Sequence, residues 1–336
     1  MFAQFELDVV KAHAARNLLK GCAALALIVA ATVSHAQGWR PERTVEIIVP
    51  SAAGSSLDAA SRMIQRTLTE NKIVEVPVVV VNKAGNVSTV YLDQHAGDPH
   101  YLYLSLMSLL NNHILGRSKA NYDTYTPLAM LYSENMTLVV EQGSALKTGR
   151  DVMTKLRADP QALSIAVGST RGGTGHLNVA LVAKAMGIDA KNLKTVQFPG
   201  NSQALTALLG GHLDLSSMSF AQAWSQSQAG KLRILGVAAA KRGAGPLADL
   251  PTWKEQGFDV EYYNTRFMLG PKGITPEQTA FWDAALKRVL ESKEWTEYAV
   301  KQHYIPFYVG HKETPKRLAA EYQQLKSALT DVGMVK

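Results

Sequence analysis

Short apolar runs alternate with longer stretches of helical period along most of this chain. "VEIIVP" (45–50) reads as a strand, and the polar loop "SAAGSS" follows it. In "LDAASRMIQRTL" (57–68) the apolar residues Leu57, Ala60, Ile64 and Leu68 recur at helical spacing. "VPVVVVN" (76–82) is uniformly apolar, the pattern of a fully buried strand, and "YLYLSLM" (101–107) predicts another. "MTLVVEQ" (136–142) predicts a strand where the chain changes domain. A second series then begins. It predicts helices over 151–159, 176–187, 202–211 and 220–230, and strands over 163–167, 194–198, 213–219 and 232–240. Residues 275–292 and 314–329 read as terminal helices. Strands alternating with helices give an α/β fold built on mainly parallel sheets.

The loops after these strands share a character. "GSTRGGTG" (168–175) is glycine-rich and lies between a strand and a helix. "PSAAGSSLD" (50–58), "SLLNN" (108–112), "FPGNSQ" (198–203) and "SFAQ" (219–222) also follow strands and are small and polar. Parallel strands gather their carboxyl ends on one edge, where open α/β folds bind ligands. A helix start with exposed N–H groups binds anions through orphan donors and the positive end of the dipole. A plain glycine-rich turn with no ligand is the structural alternative.

Known phosphate loops do not fit 168–175. The P-loop spacing from Gly168 to Gly173 holds, but Thr174 stands at the lysine position. Gly173 and Gly175 begin a dinucleotide motif, but Asn178 replaces its third glycine. Ser169, Thr170 and His176 suggest a hydrolase, yet no G-x-S-x-G elbow surrounds either hydroxyl. The nine histidines show no paired metal-ligand spacing, and carboxylates do not cluster in the loops. No catalytic residue, metal or cofactor is expected, and reversible capture of an anion is. Several single residues carry two readings. Asp58 caps its helix from Ser55 or faces a ligand. His176 orients its loop or touches ligand. Arg171 is solvated or binds a carboxylate. Arg266, with apolar neighbours, pairs with a protein acid or with the ligand. Asp214 pins a turn or strand. Trp253, Trp282 and Trp295 read as core.

Composition narrows the class. The 336 residues suggest two domains, and 46% apolar with 19% charged content allows a substantial core. Net charge is +7, but no dense Lys/Arg cluster interleaved with aromatics points to nucleic acid. Lys11, Arg16 and Lys20 precede an apolar run (22–33), and Ser34, His35 and Ala36 follow with small residues at the peptidase positions. Residues 1–36 therefore read as a signal peptide cleaved near Ala36. The single cysteine, Cys22, falls inside it, so the mature chain has no disulfide or thiol catalyst. An exported soluble protein is expected.

Taken in order, these segments resemble the extracytoplasmic solute receptors of tripartite tricarboxylate transporters, the Bug or TctC-type binding proteins. The resemblance covers residues 39–336. "RPERTVEIIVPSAAGSSLDAASR" is similar to the family's first strand, P-F-x-A-G-G-x-x-D loop and first helix. "VVVVNKAGNVST" and "IAVGSTRGGTGHL" resemble its V-x-N-x-x-G-A-G-G and A-x-x-G-x-G-S-x-x-H-L segments. "ALTALLGGHLDL" is similar to L-x-x-L-L-G-G-x-V-D-L, and "LPTWKEQGFDVEYYNTRFMLGPKGITPEQ" with "EWTEY" to the later region. The resemblance implies a two-domain, Venus-flytrap fold of the type II periplasmic-binding class. Domain 1 would be 37–139 plus 264–336, and domain 2 would be 140–263. It implies a monomeric periplasmic receptor that delivers a small carboxylate to membrane subunits and binds no nucleic acid. An exported hydrolase, or a module feeding a sensor kinase, are the alternatives. The ligand would be held by loops 51–56 and 168–174, partly through water. The residues carried over are Ser51, Ala53, Gly54, Ser55, Ser56 and Ser108 in domain 1, and Gly168, Ser169, Thr170, Gly172, Gly173, Thr174 and His176 in domain 2. Phe198, Gly200, Asn201 and Arg266 complete the set. Ser51 stands where Phe is usual, Ser55 where the second glycine is, Pro199 where Lys often is, and Thr265 where Trp is frequent. Asn86, Val87 and Ser88 replace small glycine-rich residues. The polar Ser51 favours a hydroxylated ligand.

Overall fold

The computed structural model describes residues 38–335 except 169, 170 and 244. The expected signal peptide and its cleavage point lie outside the described residues. Two sheets share one strand. The first holds parallel strands β1 (Val45–Val49), β2 (Val78–Asn82) and β3 (Tyr101–Leu106). The 16-residue β4 (Thr126–Glu141) spans both sheets. The second sheet holds parallel β5 (Ser164–Val167), β6 (Lys194–Gln197) and β7 (Leu215–Ser219), with β8 (Leu232–Val237) at its antiparallel edge. The chain returns through β9 (Tyr263–Gly270), antiparallel between β3 and β4, and adds β10 (Ile305–Gly310) beyond β4. The strand orders are therefore β2-β1-β3-β9-β4-β10 and β6-β5-β7-β4-β8. Each half contains a parallel trio followed by an antiparallel strand arriving from the other half.

β4 makes this possible because thirteen consecutive residues are buried. Residues up to Asn135 pair with β9, and pairing with β7 starts at Met136. Its polar members Ser133, Glu134 and Asn135 are buried, which is why 126–135 does not read as a strand from hydropathy. The prediction for 76–82 also needs correction. The strand exists, but it is the outer edge of its sheet and Val79 is 40% exposed.

Helices follow the strands. α1 (Ser56–Glu70) buries Leu57, Ala60, Ile64 and Leu68, the predicted face. Short α2 (Val87–Asp93) and α3 (Ser108–Ile114) occupy segments that read as loops. α4 (Gly149–Ala158), α5 (Thr174–Ala185), α6 (Asn201–Leu209) and α7 (Phe220–Gln228) lie near their predicted places. α8 (Pro276–Glu291), α9 (Lys293–Lys301) and α10 (Thr314–Asp331) complete the chain. α5 is buried around most of its circumference, because it packs against the second sheet and also against α10. Asp214 accepts bonds from Ser164 N–H (2.8 Å) and Ser164 Oγ (2.7 Å), pinning the start of β5 to β7. Trp253, Trp282 and Trp295 are core. No helix among the described residues is long and apolar enough to cross a membrane.

The Trp253 indole lies directly against two glycines, Gly149 at the start of α4 and Gly236 in β8. A Cβ on Gly236 would sit 2.7 Å from indole Cε2. Trp253 is fully buried, so it has no room to retreat. Gly236→Ala should therefore lower stability by about 1–3 kcal/mol in urea unfolding, a penalty of overpacking. An unchanged midpoint would show that this contact is looser than described.

Candidate functional site

The first loop is organised by a buried carboxylate. Asp58, 3% exposed, accepts bonds from Gly54 N–H (2.9 Å), Arg62 Nε (3.0 Å) and Asn82 Nδ2 (2.9 Å). Burial alone would raise its pKa, but Arg62, Gly54 and Asn82 outweigh that and hold it below the ordinary value. Asn82 Nδ2 also donates to Ser51 O (3.2 Å). Ser55 caps α1 by accepting from Asp58 N–H (3.2 Å), and its hydroxyl lies 2.7 Å from Ser51 Oγ. Asp58 is thus committed to loop and helix. Ala53, Gly54 and Ser56 are exposed, and Ser51 and Ser55 are half-buried.

The second loop is organised by a histidine. Gly172, at φ +75°, donates its N–H to His176 Nδ1 (2.8 Å). That left-handed backbone favours glycine. Because Nδ1 accepts, the neutral ring carries its proton on Nε2. His176 is 4% exposed, and burial, aided by the charges of Arg171 and Arg117, lowers its pKa to about 4. It is a neutral brace for the loop, not a base poised near neutrality. Gly173 begins α5 without a side-chain cap, and the first intrahelical bond runs from Leu177 N–H to Gly173 O. The N–H groups of Thr174, Gly175 and His176 therefore have no partner inside the helix. Gly168 packs against Asn201, whose backbone would lie 2.5 Å from a Cβ there. The glycine lets the β5 and β6 loops meet. Ser169 and Thr170 lie outside the described residues.

This loop also touches the first half. Asn111 Nδ2 on α3 donates to Gly172 O (3.0 Å), Arg117 donates to Arg171 O, and Leu115 packs where a Gly172 side chain would go. Three buried polar atoms collect beside the first turn of α5 with no hydrogen-bond partner: Asn111 Oδ1, Thr174 Oγ1 and the Tyr262 hydroxyl. Ser108 starts α3 half-buried, and Phe198, Gly200 and Asn201 are half-buried where β6 passes into α6.

Arg266 is placed differently from the sequence-based ligand set. It is 3% exposed, bonds Glu134 Oε2 through NH2 (2.5 Å) and Asn264 O through NH1 (2.9 Å). Burial would lower its pKa, but Glu134 keeps it raised. Its charge is matched inside the fold, which removes the reason to offer it to a ligand. Asn82, Asn111 and Tyr262, which the structure places beside these loops, are absent from the sequence-based set. Asn82 carried a signal, as the one polar residue ending an apolar strand. Tyr262 carried none, because its role depends on the returning chain. Among the described residues no group of three His, Cys, Asp or Glu could hold a metal.

The family model described as "Tripartite tricarboxylate transporter family receptor" matches residues 61–334. The UPF0065 protein of the gbd 5' region of Cupriavidus necator is 26% identical over 321 residues, covering 94% of this chain and 95% of that one. MatC of Rhodopseudomonas palustris, solved with bound malate, matches with TM-score 0.73 at 23% identity over 87% of this chain and 99% of its own. A second R. palustris protein, solved with adipate, matches with TM-score 0.79 at 22% identity, over 87% and 98%. These likenesses show a two-domain, periplasmic-binding-protein-like α/β fold.

The His176 brace has a pH signature. Its folded pKa of about 4 lies below the ordinary 6.5, so the unfolded chain takes up the proton first as pH falls. The stability this site contributes is present above pH 6.5 and is lost on acidification toward pH 4, by about 2–3 kcal/mol. His176→Asn keeps an acceptor in place and does not titrate. Urea unfolding at several pH values should show a shallower acid loss in the variant. Equal slopes would remove His176 from this role.

Proposed function

Because the chain belongs to the tripartite tricarboxylate transporter receptor family, we propose that it is a periplasmic receptor that closes on a small carboxylate and delivers it to membrane subunits. The observation that carries this reading is the placing of helix caps. α3, α5, α6 and α7 start at the carboxyl ends of β3, β5, β6 and β7, and none has a side-chain cap or an acid in its first turn, whereas α1, after β1, has both in Ser55 and Asp58. α4, α8 and α9 start elsewhere and each has both, while α10 has neither. At the strand ends of the second sheet caps are absent, and an anion there would supply the missing acceptor. Malate and adipate, the acids in the two related structures, carry two carboxylates each, which suits two facing edges. Adjacent hydroxyls on Ser51 and Ser55 favour an acid that bears a hydroxyl.

In this reading the moving bodies are residues 37–139 with 264–336, and residues 140–263. β4 changes sheets at 135/136, a few residues ahead of that boundary, and bending there brings loops 51–56 and 168–174 together. A ligand that touches both loops only when they approach biases the closed state. Ser51, Ser55, Ser56, Thr174, Gly200 and Asn201 are the proposed contacts. The unpartnered atoms of Asn111, Thr174 and Tyr262 supply a polar wall behind them. Neutral donors and water hold the carboxylates, so release stays easy. His176, with its Nδ1 occupied, positions the loop.

Malate, adipate and citrate are the probes. A bound acid should stabilise the mature chain by about 2.7 kcal/mol at one hundred times its dissociation constant. Gly200→Asp places a carboxylate at the start of α6, in backbone of φ −167° that any residue adopts. The aspartate should cap α6, leave stability unchanged or slightly raised, and weaken the bound acid at least tenfold in calorimetric titration. Silence from every carboxylate would contradict the ligand class. Undiminished binding by the variant would remove α6 from the site.

A further inference from the structure

A cavity of about 590 Å³ lies beneath α10, against the crossing strands. None of the loop residues proposed for the carboxylate lines it. Its volume falls in the range of small-molecule sites, roughly 300–1,000 Å³. Its apolar walls come from Leu181 on α5, Ile305 and Phe307 on β10, and Leu325 on α10. At its edge stands Arg317, with its guanidinium carbon 5.5 Å from the Phe307 ring centre. Arg317 has no carboxylate within ion-pair distance among the described residues. Glu321, one turn along α10, is half-buried, and burial raises its pKa while Arg317 opposes this. Glu261, also on the lining, is paired with Lys254 (3.1 Å).

From an unpaired, ring-stacked guanidinium above a hydrocarbon-lined cavity, we propose that this chain has a second ligand site, for an amphipathic monocarboxylate with an aromatic or branched hydrocarbon body. The planar fork of Arg317 takes the carboxylate two-pronged, and the hydrocarbon body packs on Phe307, Leu181 and Leu325. The hydroxyl pair Ser133 and Thr265, 2.9 Å apart, lies on the same lining.

The position gives the site a consequence. Leu181 rides on α5, whose first turn borders the candidate cleft, and the other walls belong to β10, α10 and the crossing strands. Tyr262 forms the partition. The residue is on the cavity lining, and its hydroxyl sits beside Asn111 and Thr174. An occupant therefore touches both halves of the chain next to where they bend, so its binding and the cleft ligand's are coupled, in both directions equally.

The test uses 4-phenylbutyrate in calorimetric titration against the full mature chain. Wild type should bind it saturably. Arg317→Ala, a change at an exposed position, should weaken binding at least tenfold. Ala328→Trp, which fills the cavity from α10, should abolish it, with circular dichroism checking the fold. Gly200→Asp should leave it within twofold, since that change lies in the other site. No binding by wild type, or binding that is lost in Gly200→Asp and retained in Arg317→Ala, would overturn the proposal. Failure of malate, adipate and citrate to bind would leave this result standing, so the two readings fail separately.

Discussion

One unbroken strand has to serve two sheets. β4 is buried over thirteen residues, and a buried backbone must keep its N–H and C=O groups paired. It does so by exchanging partners, β9 and β10 up to Asn135 and β7 and β8 from Met136 on. At the exchange point Glu134 and Arg266, each 3% exposed, face one another from neighbouring strands. Removing either partner would leave a charge buried alone, which costs about 3–5 kcal/mol. The crossing is therefore strongly specified.

That constraint decides where the chemistry sits. Both halves repeat one strand order, with a parallel trio beside the exchanged strand. The carboxyl ends of both trios are turned toward the level at which β4 changes sheets, since β3 ends beside Arg266 and β7 ends beside Met136. Of the helices that start there, α3, α5, α6 and α7 lack side-chain caps while Ser55 caps α1, and glycine, serine and asparagine let the loops approach closely. In the proposed reading an anion receives main-chain donors from both halves, with no base, nucleophile or metal set required. Asp58 and His176 are each bound to a glycine N–H of their own loop.

Much of this was legible in the sequence. The alternation of apolar runs and helical periods located α1, α4 to α7 and the parallel strands. Strand-end loops rich in glycine and serine marked the edge. Interactions between distant segments were not legible. Residues 126–135, which contain Pro127, Ser133, Glu134 and Asn135, receive no assignment from sequence, because the partners that satisfy two of those polar groups, Thr265 and Arg266, lie about 130 residues away. The same distance left the two readings of Arg266, protein acid or ligand, undecided by sequence, and the structure pairs it with Glu134. β2 looked buried because valine-rich sequence is equally consistent with an edge strand, and only the strand order separates the two.

The central claim is that main-chain N–H groups of two loops, one from each half, clasp a small acid together. Amide hydrogen exchange reads those groups directly. With a saturating dicarboxylate, exchange should slow together in segments 51–56 and 171–176, with little change in α8. Binding that protects only one segment, or neither, would contradict the account.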